Sequence, residues 1–522
     1  MTAAARATTR PKGLLAASLL VVTVLALPLA FLLREALDAG VSNLWHLIWR
    51  SLTASLLWNT VRLTVVVTVL CAVIGTLAAY GVERTDLPGA RVWAVLVVVP
   101  FAIPDFVVSF GWSSLSSWVQ GFRGAVLVMT LAVYPLVYLP VAASLRGADP
   151  GQEDIARSLG VGRLVTFFRV TLGQARRAIF GGCLLVALVI LAEYGAFEIL
   201  GFQTFTTEIF TEFRIVDTSV ACALSLVLVV LGLFVLMGES ASRGGGRVSR
   251  TGSGVQRALV RRHLGHARLP VLVAYALLVV AALGVPIGSS VYWIFEGGAD
   301  SLVGASLGSA ALYTAGYSLG AALVATAMAL PVALLVTRHP GRVHAMLERT
   351  TFLVLAMPGL VVALAISYFS TQYANSFGYQ TAPLLVLAYS IMFFPLALVC
   401  VRASVAQSSV SLEEVAGSLG VRRLPAVLRV TLPLIAPGIG AAFCLVFLSA
   451  VTELTATLIL IPTNAETLAT QFWAYQQNLS YGQAAPFALV IIAIAAVPSY
   501  VLGRFFDRLP RRGLAQAQRE VA

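Results

Sequence analysis

Glu153-Asp154-Ile155-Ala156-Arg157-Ser158-Leu159-Gly160-Val161-Gly162-Arg163-Leu164 recurs as Glu413-Glu414-Val415-Ala416-Gly417-Ser418-Leu419-Gly420-Val421-Arg422-Arg423-Leu424. Over 153–172 and 413–432, twelve of twenty positions are identical at a constant offset of 260. Ten of these identities form two blocks: Ser-Leu-Gly-Val with the nearby Arg-Leu, and Arg-Val-Thr-Leu at 169 and 429. Tyr134-Pro135 pairs with Phe394-Pro395, and Pro104 with Pro358, at slightly different offsets. A repeat of this kind signals duplication of a whole structural unit. Each copy reads locally as helix, turn, helix. In the second, Ser411 is the expected N-cap, with Glu414 closing a capping box. Gly160 and Gly420 are expected to end their helices where φ turns positive. Ala156 and Ala416 keep one face of each short helix small, open to close approach by another surface.

Outward from the repeat, the chain is too apolar for water. It is 59% hydrophobic and 11% charged, against about 25% charged in soluble domains, and its mean hydropathy is +0.90. This excludes a soluble enzyme, a disordered chain and a secreted disulfide scaffold. Runs of about 20 apolar residues can each span a bilayer. They occur near 14–33, 59–80, 93–112, 124–143, 179–199 and 218–238, then near 270–289, 313–336, 350–370, 382–402, 438–460 and 484–506. The expected fold is an all-α polytopic membrane protein with twelve transmembrane helices in two parallel six-helix repeats. The first run is read as a retained helix, since Pro28 matches Pro286 in the run at 270–289. With the N-terminus inside, thirty basic residues lie on the cytoplasmic side and five (Arg34, Arg50, Arg62, Arg123, Arg214) outside. That bias sets both termini in the cytoplasm. The net charge of +12 is spread over short inter-span segments, so it argues for no nucleic acid. The five cysteines lie within apolar segments without metal-ligand spacing.

The expected organisation is an N-terminal segment with the first helix (1–54), a first six-helix-repeat domain (55–238) and a Gly/Ser/Arg-rich cytoplasmic linker (239–268). The seventh helix and an outer loop (269–312), a second domain (313–506) and a basic tail (507–522) follow. Both motif copies fall in the longest cytoplasmic loop of their half, before its fifth helix. There they resemble the "EAA" loop of binding-protein-dependent ABC importer permeases. The second copy supplies Glu414-Val415-Ala416, Gly420 and Val430-Thr431-Leu432-Pro433; the first supplies Asp154-Ile155-Ala156, Gly160 and Val170-Thr171-Leu172-Gly173. The first copy departs by Asp for Glu and Gly for Pro, and both carry a branched residue at the first Ala.

The resemblance implies the type I ABC importer permease fold. It also implies that Glu153, Asp154, Ala156, Gly160, Glu413, Glu414, Ala416 and Gly420 face an ATP-binding subunit. Two copies of that subunit, an extracytoplasmic substrate-binding protein and the lipid bilayer are the implied partners. Asp154 and Glu414 could equally cap their own helices. The stretches beginning Ala192-Glu193-Tyr194-Gly195-Ala196 and Thr452-Glu453-Leu454-Thr455-Ala456 are similar to the ferric-iron permeases of this family. Fused thiamine and organophosphonate permeases are built alike, and a polyamine is a further candidate substrate.

Glu193 and Glu453, again 260 apart, are expected part-way along the fifth and eleventh helices. A carboxylate at such depth is costly unless it faces a wet cavity or a partner. They are the candidate substrate pathway; the alternative is that each holds a neighbouring helix. A P-loop requires a lysine, and the one lysine, Lys12, follows Arg-Pro. ATP and Mg are therefore expected on a separate subunit, with no cofactor, no resident metal and no catalytic residue in this chain. His263 and His266 read as solvated linker residues. The competing architecture is a secondary transporter of the major-facilitator kind. Its signature loop is matched only loosely by Gly81–Arg91, and Arg338-His339-Pro340-Gly341-Arg342 lacks the acid.

Overall fold

The computed structural model describes residues 12–38, 40, 45–46, 49–148, 150–215, 218–242, 262–298, 306–338, 347, 350–351, 353–373, 378–421, 423–499 and 501. Most of the expected linker, residues 243–261, and the basic tail at 507–522 lie outside the described residues. Among the described residues the regular structure is helical. That follows from the composition: hydrocarbon supplies no hydrogen bonds, so a spanning backbone must satisfy its own.

The first half runs α1 (Lys12–Asp38), α2 (Ser51–Arg84), α3 (Ala90–Ala102), α4 (Asp105–Ser113), α5 (Gly121–Gly147) and α6 (Pro150–Ser158). It continues with α7 (Phe167–Ala192), α8 (Gly195–Ile199), α9 (Phe205–Arg214) and α10 (Thr218–Ser242). The second half runs α11 (Gly265–Gly297), α12 (Ser306–Arg338), α13 (Gly359–Tyr373), α14 (Ala382–Gln407) and α15 (Val410–Ser418). After these come α16 (Val427–Val451), α17 (Thr455–Leu460), α18 (Leu468–Gln477) and α19 (Tyr481–Ser499).

Ten of the described helices are long and apolar enough to cross a membrane, or eleven if the bent pair α3–α4 counts as one span. The all-α polytopic class and the two-repeat plan expected from the sequence are as the described residues have them, with two of the twelve apolar runs taking a different local course. The run at 93–112 bends by 93° between α3 and α4, where Pro104 disfavours helical geometry at Ile103. The run at 350–370 is helical at 353–356, breaks at 357–358 and resumes as the 15-residue α13, itself about 22 Å long at 1.5 Å per residue. The expected spans ending at 199 and 460 stop at Ala192 and Val451.

Compactness divides the chain into two units that exchange segments. One contains Ala36–Gly304 with Phe472–Ile492; the other contains Ala305–Gln471 with Met1–Glu35 and Ala493–Ala522. The opening helix of each half therefore belongs to the unit built mainly from the other half. In the second-half unit, α1 lays Phe31 edge-on against Phe369 at 6.0 Å, and Arg34 sits 5.3 Å over the Tyr373 ring. In the first-half unit, α11 donates Tyr275 Oη to the Ala78 carbonyl at 2.5 Å and accepts Trp112 Nε1 at Ala281 O, 3.2 Å.

Without a hydrophobic drive between helices in lipid, close packing by small residues holds such bundles together. A Cβ on Gly182 of α7 would lie 2.7 Å from Val137 Cα of α5. The apolar side chains left outside complete the pattern. On α2, Val61, Val65, Val69, Val73 and Leu77 recur every four residues, and all are exposed. In water they would be a liability; they suit a bilayer.

Gly111 of α4 meets the backbone of α11, where an added Cβ would lie 2.7 Å from Pro286 Cα; at Gly288, on α11 itself, nothing lies within 4 Å. Gly111→Leu should therefore destabilise by about 1–3 kcal/mol through overpacking, and Gly288→Leu should not. Thermal unfolding midpoints of the two variants in detergent check this.

Candidate functional site

The duplicated motif forms the same station twice. In the second-half unit, α15 ends at Ser418, and Gly420 takes φ +81°. The Val421 amide donates to Ala416 O at 3.0 Å, and the Gly420 amide donates to Gly417 O at 3.0 Å. That pair of bonds is the Schellman closure. In the first-half unit Gly160 takes φ +76°, and Val161 N donates to Ala156 O at 3.0 Å. The sequence reading of both turns holds. The reading of the N-terminus does not: α15 is capped at Ser409, and Ser411 lies within its first turn, hydroxyl to hydroxyl with Ser409. The helix begins earlier than the capping-box pattern suggested.

Ala156 and Ala416 are buried. Little of either side chain is left open to another molecule. The exposed apolar side chains of each helix and its turn include Ile155 and Leu159, and at the same offset Val415 and Leu419, the last 79% exposed. Glu414 is exposed beside them, and Asp154 occupies the equivalent position on α6.

Glu153 and Glu413 turn the other way. Glu153 Oε1 accepts the Thr171 hydroxyl at 2.8 Å and pairs with Arg84 Nη1 at 3.7 Å. Glu413 Oε1 accepts the Thr431 hydroxyl and Arg338 Nη1, while Arg338 Nη2 donates to Ser408 Oγ at 3.1 Å. Arg84 and Arg338 are the last residues of α2 and α12. Thr171 and Thr431 close π-helical turns at 167–171 and 427–431, which open α7 and α16. Sequence reasoning missed all four partners. Thr171 and Thr431 were visible in the repeated Arg-Val-Thr-Leu block, but the arginines entered only through topology counts and the loop comparison with a secondary transporter.

Beside this station in the first-half unit, the last part of the expected linker is fastened to the end of α2. Arg262 N donates to Arg84 O at 2.8 Å, and Asp86 N donates to Arg262 O at 3.0 Å. Leu264 N donates to Asp86 Oδ1 at 2.8 Å, and His263 Nδ1 lies 2.9 Å from Asp86 Oδ2. The Leu264 amide, then His263, hold the Asp86 carboxyl below the usual carboxylate range. His263 is thus solvated, as expected, but also tied.

At the far ends of α7 and α16 sit the two other candidates. Glu193 and Glu453 lie where their helices break. Glu193 Oε1 accepts the Ala196 amide at 2.7 Å, and Glu453 Oε1 accepts the Ala456 amide at 3.0 Å. Each carboxyl thus caps the short helix that follows. The breaks are tied again by Thr206, donating to Glu193 O, and Thr457, donating to Glu453 O. The halves then diverge. Asp105, after Pro104, places its carboxyl beside that of Glu193. The residue after Pro358 is Gly359, where a Cβ would stand 3.7 Å from Glu453 Oε1. Glu453 instead borders a cavity of about 10 Å³ with Thr314, Tyr317, Ser318, Tyr389 and Thr467, room for about one water. Among the described residues no group of three His, Cys, Asp or Glu is placed to hold a metal ion.

Two matched stations on one chain are what a duplicated permease requires, and comparison with known proteins agrees. Residues 71–238 and 329–513 each match the family described as binding-protein-dependent transport system inner membrane component. The chain belongs to this family. The permease is 35% identical over 493 residues to the Fe(3+)-transport system permease protein FbpB 2 of Haemophilus influenzae, covering 92% of this chain and 96% of that one. It is 23% identical to the ferric transport system permease protein FbpB of Actinobacillus pleuropneumoniae, over 84% and 69% of the two chains. The sulfate transport system permease protein CysW of Synechocystis is 30% identical but matches 41% of the permease, covering 86% of its own length. The permease is thus a multi-pass membrane protein of an ABC importer, a family whose ATPase and substrate-binding protein are separate subunits.

Gly420 has open space around its Cα, so replacing it is a purely conformational insult. Gly420→Val should cost about 1–2 kcal/mol from the positive φ and unravel the end of α15. Hydrogen exchange at the Val421 amide should accelerate, whereas Gly417→Ala, also in open space, should leave it slow.

Proposed function

We propose that this chain is the complete membrane-spanning part of a ferric-iron importer. The observation that carries the substrate assignment is the full-length match to a ferric permease, set against sulfate relatives that align with less than half of the chain. Both termini and the linker lie in the cytoplasm, following the thirty-to-five distribution of basic residues. Two copies of an ATP-binding subunit, carrying ATP and Mg, dock on the loops at 150–178 and 410–438, one on each station. Ile155, Leu159, Val415 and Leu419 supply the apolar contact, with Asp154 and Glu414 beside them. A substrate-binding protein delivers iron to the opposite face. Closure of the ATPase pair moves the loops, and the cavity alternates between its two sides.

Glu193 and Glu453 line the route in this reading, with Asp105 adding a second carboxyl in the first half alone. Oxygen donors suit a hard cation. An incomplete ligand set suits passage, because a site that bound ferric iron tightly would hold it.

Glutamine keeps an oxygen for the Ala196 and Ala456 amides while removing the charge. Glu193→Gln and Glu453→Gln should therefore fold and assemble normally, yet lower uptake of radiolabelled iron into proteoliposomes supplied with iron-loaded binding protein and ATPase. Unchanged uptake in the double variant would leave these residues a capping role only. For topology, cysteines introduced at the N-terminus and in the linker should react with an impermeant maleimide only after the cytoplasmic face is opened.

A further inference from the structure

We infer that Arg84 and Arg338 are positioning residues that couple each docking helix to the membrane helices. The inference rests on reading the two loops as ATPase docking sites. Three separate segments meet at one carboxylate oxygen in each half: the end of a long spanning helix, the docking helix, and the start of the next spanning helix. In the second half these are Arg338 of α12, Glu413 of α15 and Thr431 of α16. In the first they are Arg84 of α2, Glu153 of α6 and Thr171 of α7.

The duplication makes this more than a chance surface ion pair. Surface pairs contribute little and exchange freely with water. Here the Arg84 side chain is 6% exposed and the Arg338 side chain 11%. Each arginine stands at a helix C-terminus, and each glutamate stands in the first turn of its helix, so both are placed favourably for the helix dipoles. The threonines come from π-turns, a register irregularity that often marks functional sites. Without the guanidinium, a docking helix pushed by its partner could slide on the bundle. With it, the push reaches α2 or α12 and the α7 or α16 rod together.

The two stations differ in tightness. Arg338 hydrogen-bonds both Glu413 and Ser408. Arg84 reaches Glu153 at ion-pair distance, and among the described residues its buried Nε and Nη2 have no hydrogen-bond partner, against Nε alone in Arg338. The Arg338 station should therefore be the more sensitive to substitution.

The test uses the permease co-purified with its ATPase subunits and reconstituted with iron-loaded binding protein. The readouts are ATPase retention on the affinity column and iron moved per ATP hydrolysed. Arg338→Gln and Glu413→Gln should keep the ATPase bound but lower iron per ATP by about tenfold or more, as expected for losing one partner of a buried ion pair. Arg338→Lys should recover most of it. Arg338→Gln/Glu413→Gln should be no worse than the poorer single variant, the mark of one shared interaction. Arg84→Gln should follow in the same direction with a smaller loss. Unchanged iron per ATP in the single variants, or losses that multiply in the double variant, would overturn the inference. So would loss of the ATPase from Arg338→Gln, which would place the arginine in the docking surface itself. Failure of the docking reading is visible separately: a Gly160→Val/Gly420→Val double variant that still retains the ATPase would remove that premise.

Discussion

A helix broken inside a membrane exposes amides that hydrocarbon cannot solvate, and each must find a partner within the protein. The permease breaks its fifth and eleventh apolar runs at equivalent points, and at both it spends a carboxylate on the exposed amide. Glu193 and Glu453 are therefore structural before they are anything else. Once a break is stabilised in this way, a short helix and a second loop can fold back at depth. Thr204 and Thr467 repeat the device at the next helix start. Each backbone amide donates to the hydroxyl of a threonine three residues on, Thr207 or Thr470. The breaks also free α7 and α16 to act as uninterrupted rods.

Those rods organise everything else. From Thr171 to Glu193, and again from Thr431 to Glu453, is 22 residues, or about 33 Å at 1.5 Å per residue. That matches the thickness of a bilayer core. One end of each rod is pinned to a docking helix through a glutamate and an arginine. The other end carries the acid that borders the break. Motion applied at the loop is thus delivered to the candidate pathway through one continuous helix, with no need for a diffuse network of contacts.

The halves are equivalent in backbone design and unequal in chemistry. Asp105 joins Glu193 in one half, where the other has Gly359 and a one-water cavity beside Glu453. The last part of the linker is fastened to Asp86 at the first station. A fused chain can hold such differences because its halves are no longer bound by symmetry.

What was legible in the sequence was whatever repeats or averages: the all-α membrane class, the duplicated loop, and the positive φ of Gly160 and Gly420. What was not legible depends on single residues that hydropathy averages hide. Pro104 breaks a run that reads as one span, and Glu193 and Glu453 end runs that appeared to continue. The exchange of α1 and α11 between the compact units leaves no trace in chain order. Arg84 and Arg338 look like ordinary span-end arginines until three segments converge on them. If one chain carries two ATPase docking stations, the mass of the intact complex must show it. Native mass spectrometry of the assembled transporter should give one permease chain with two ATP-binding subunits. Two permease chains, or a single ATP-binding subunit in the active complex, would contradict it.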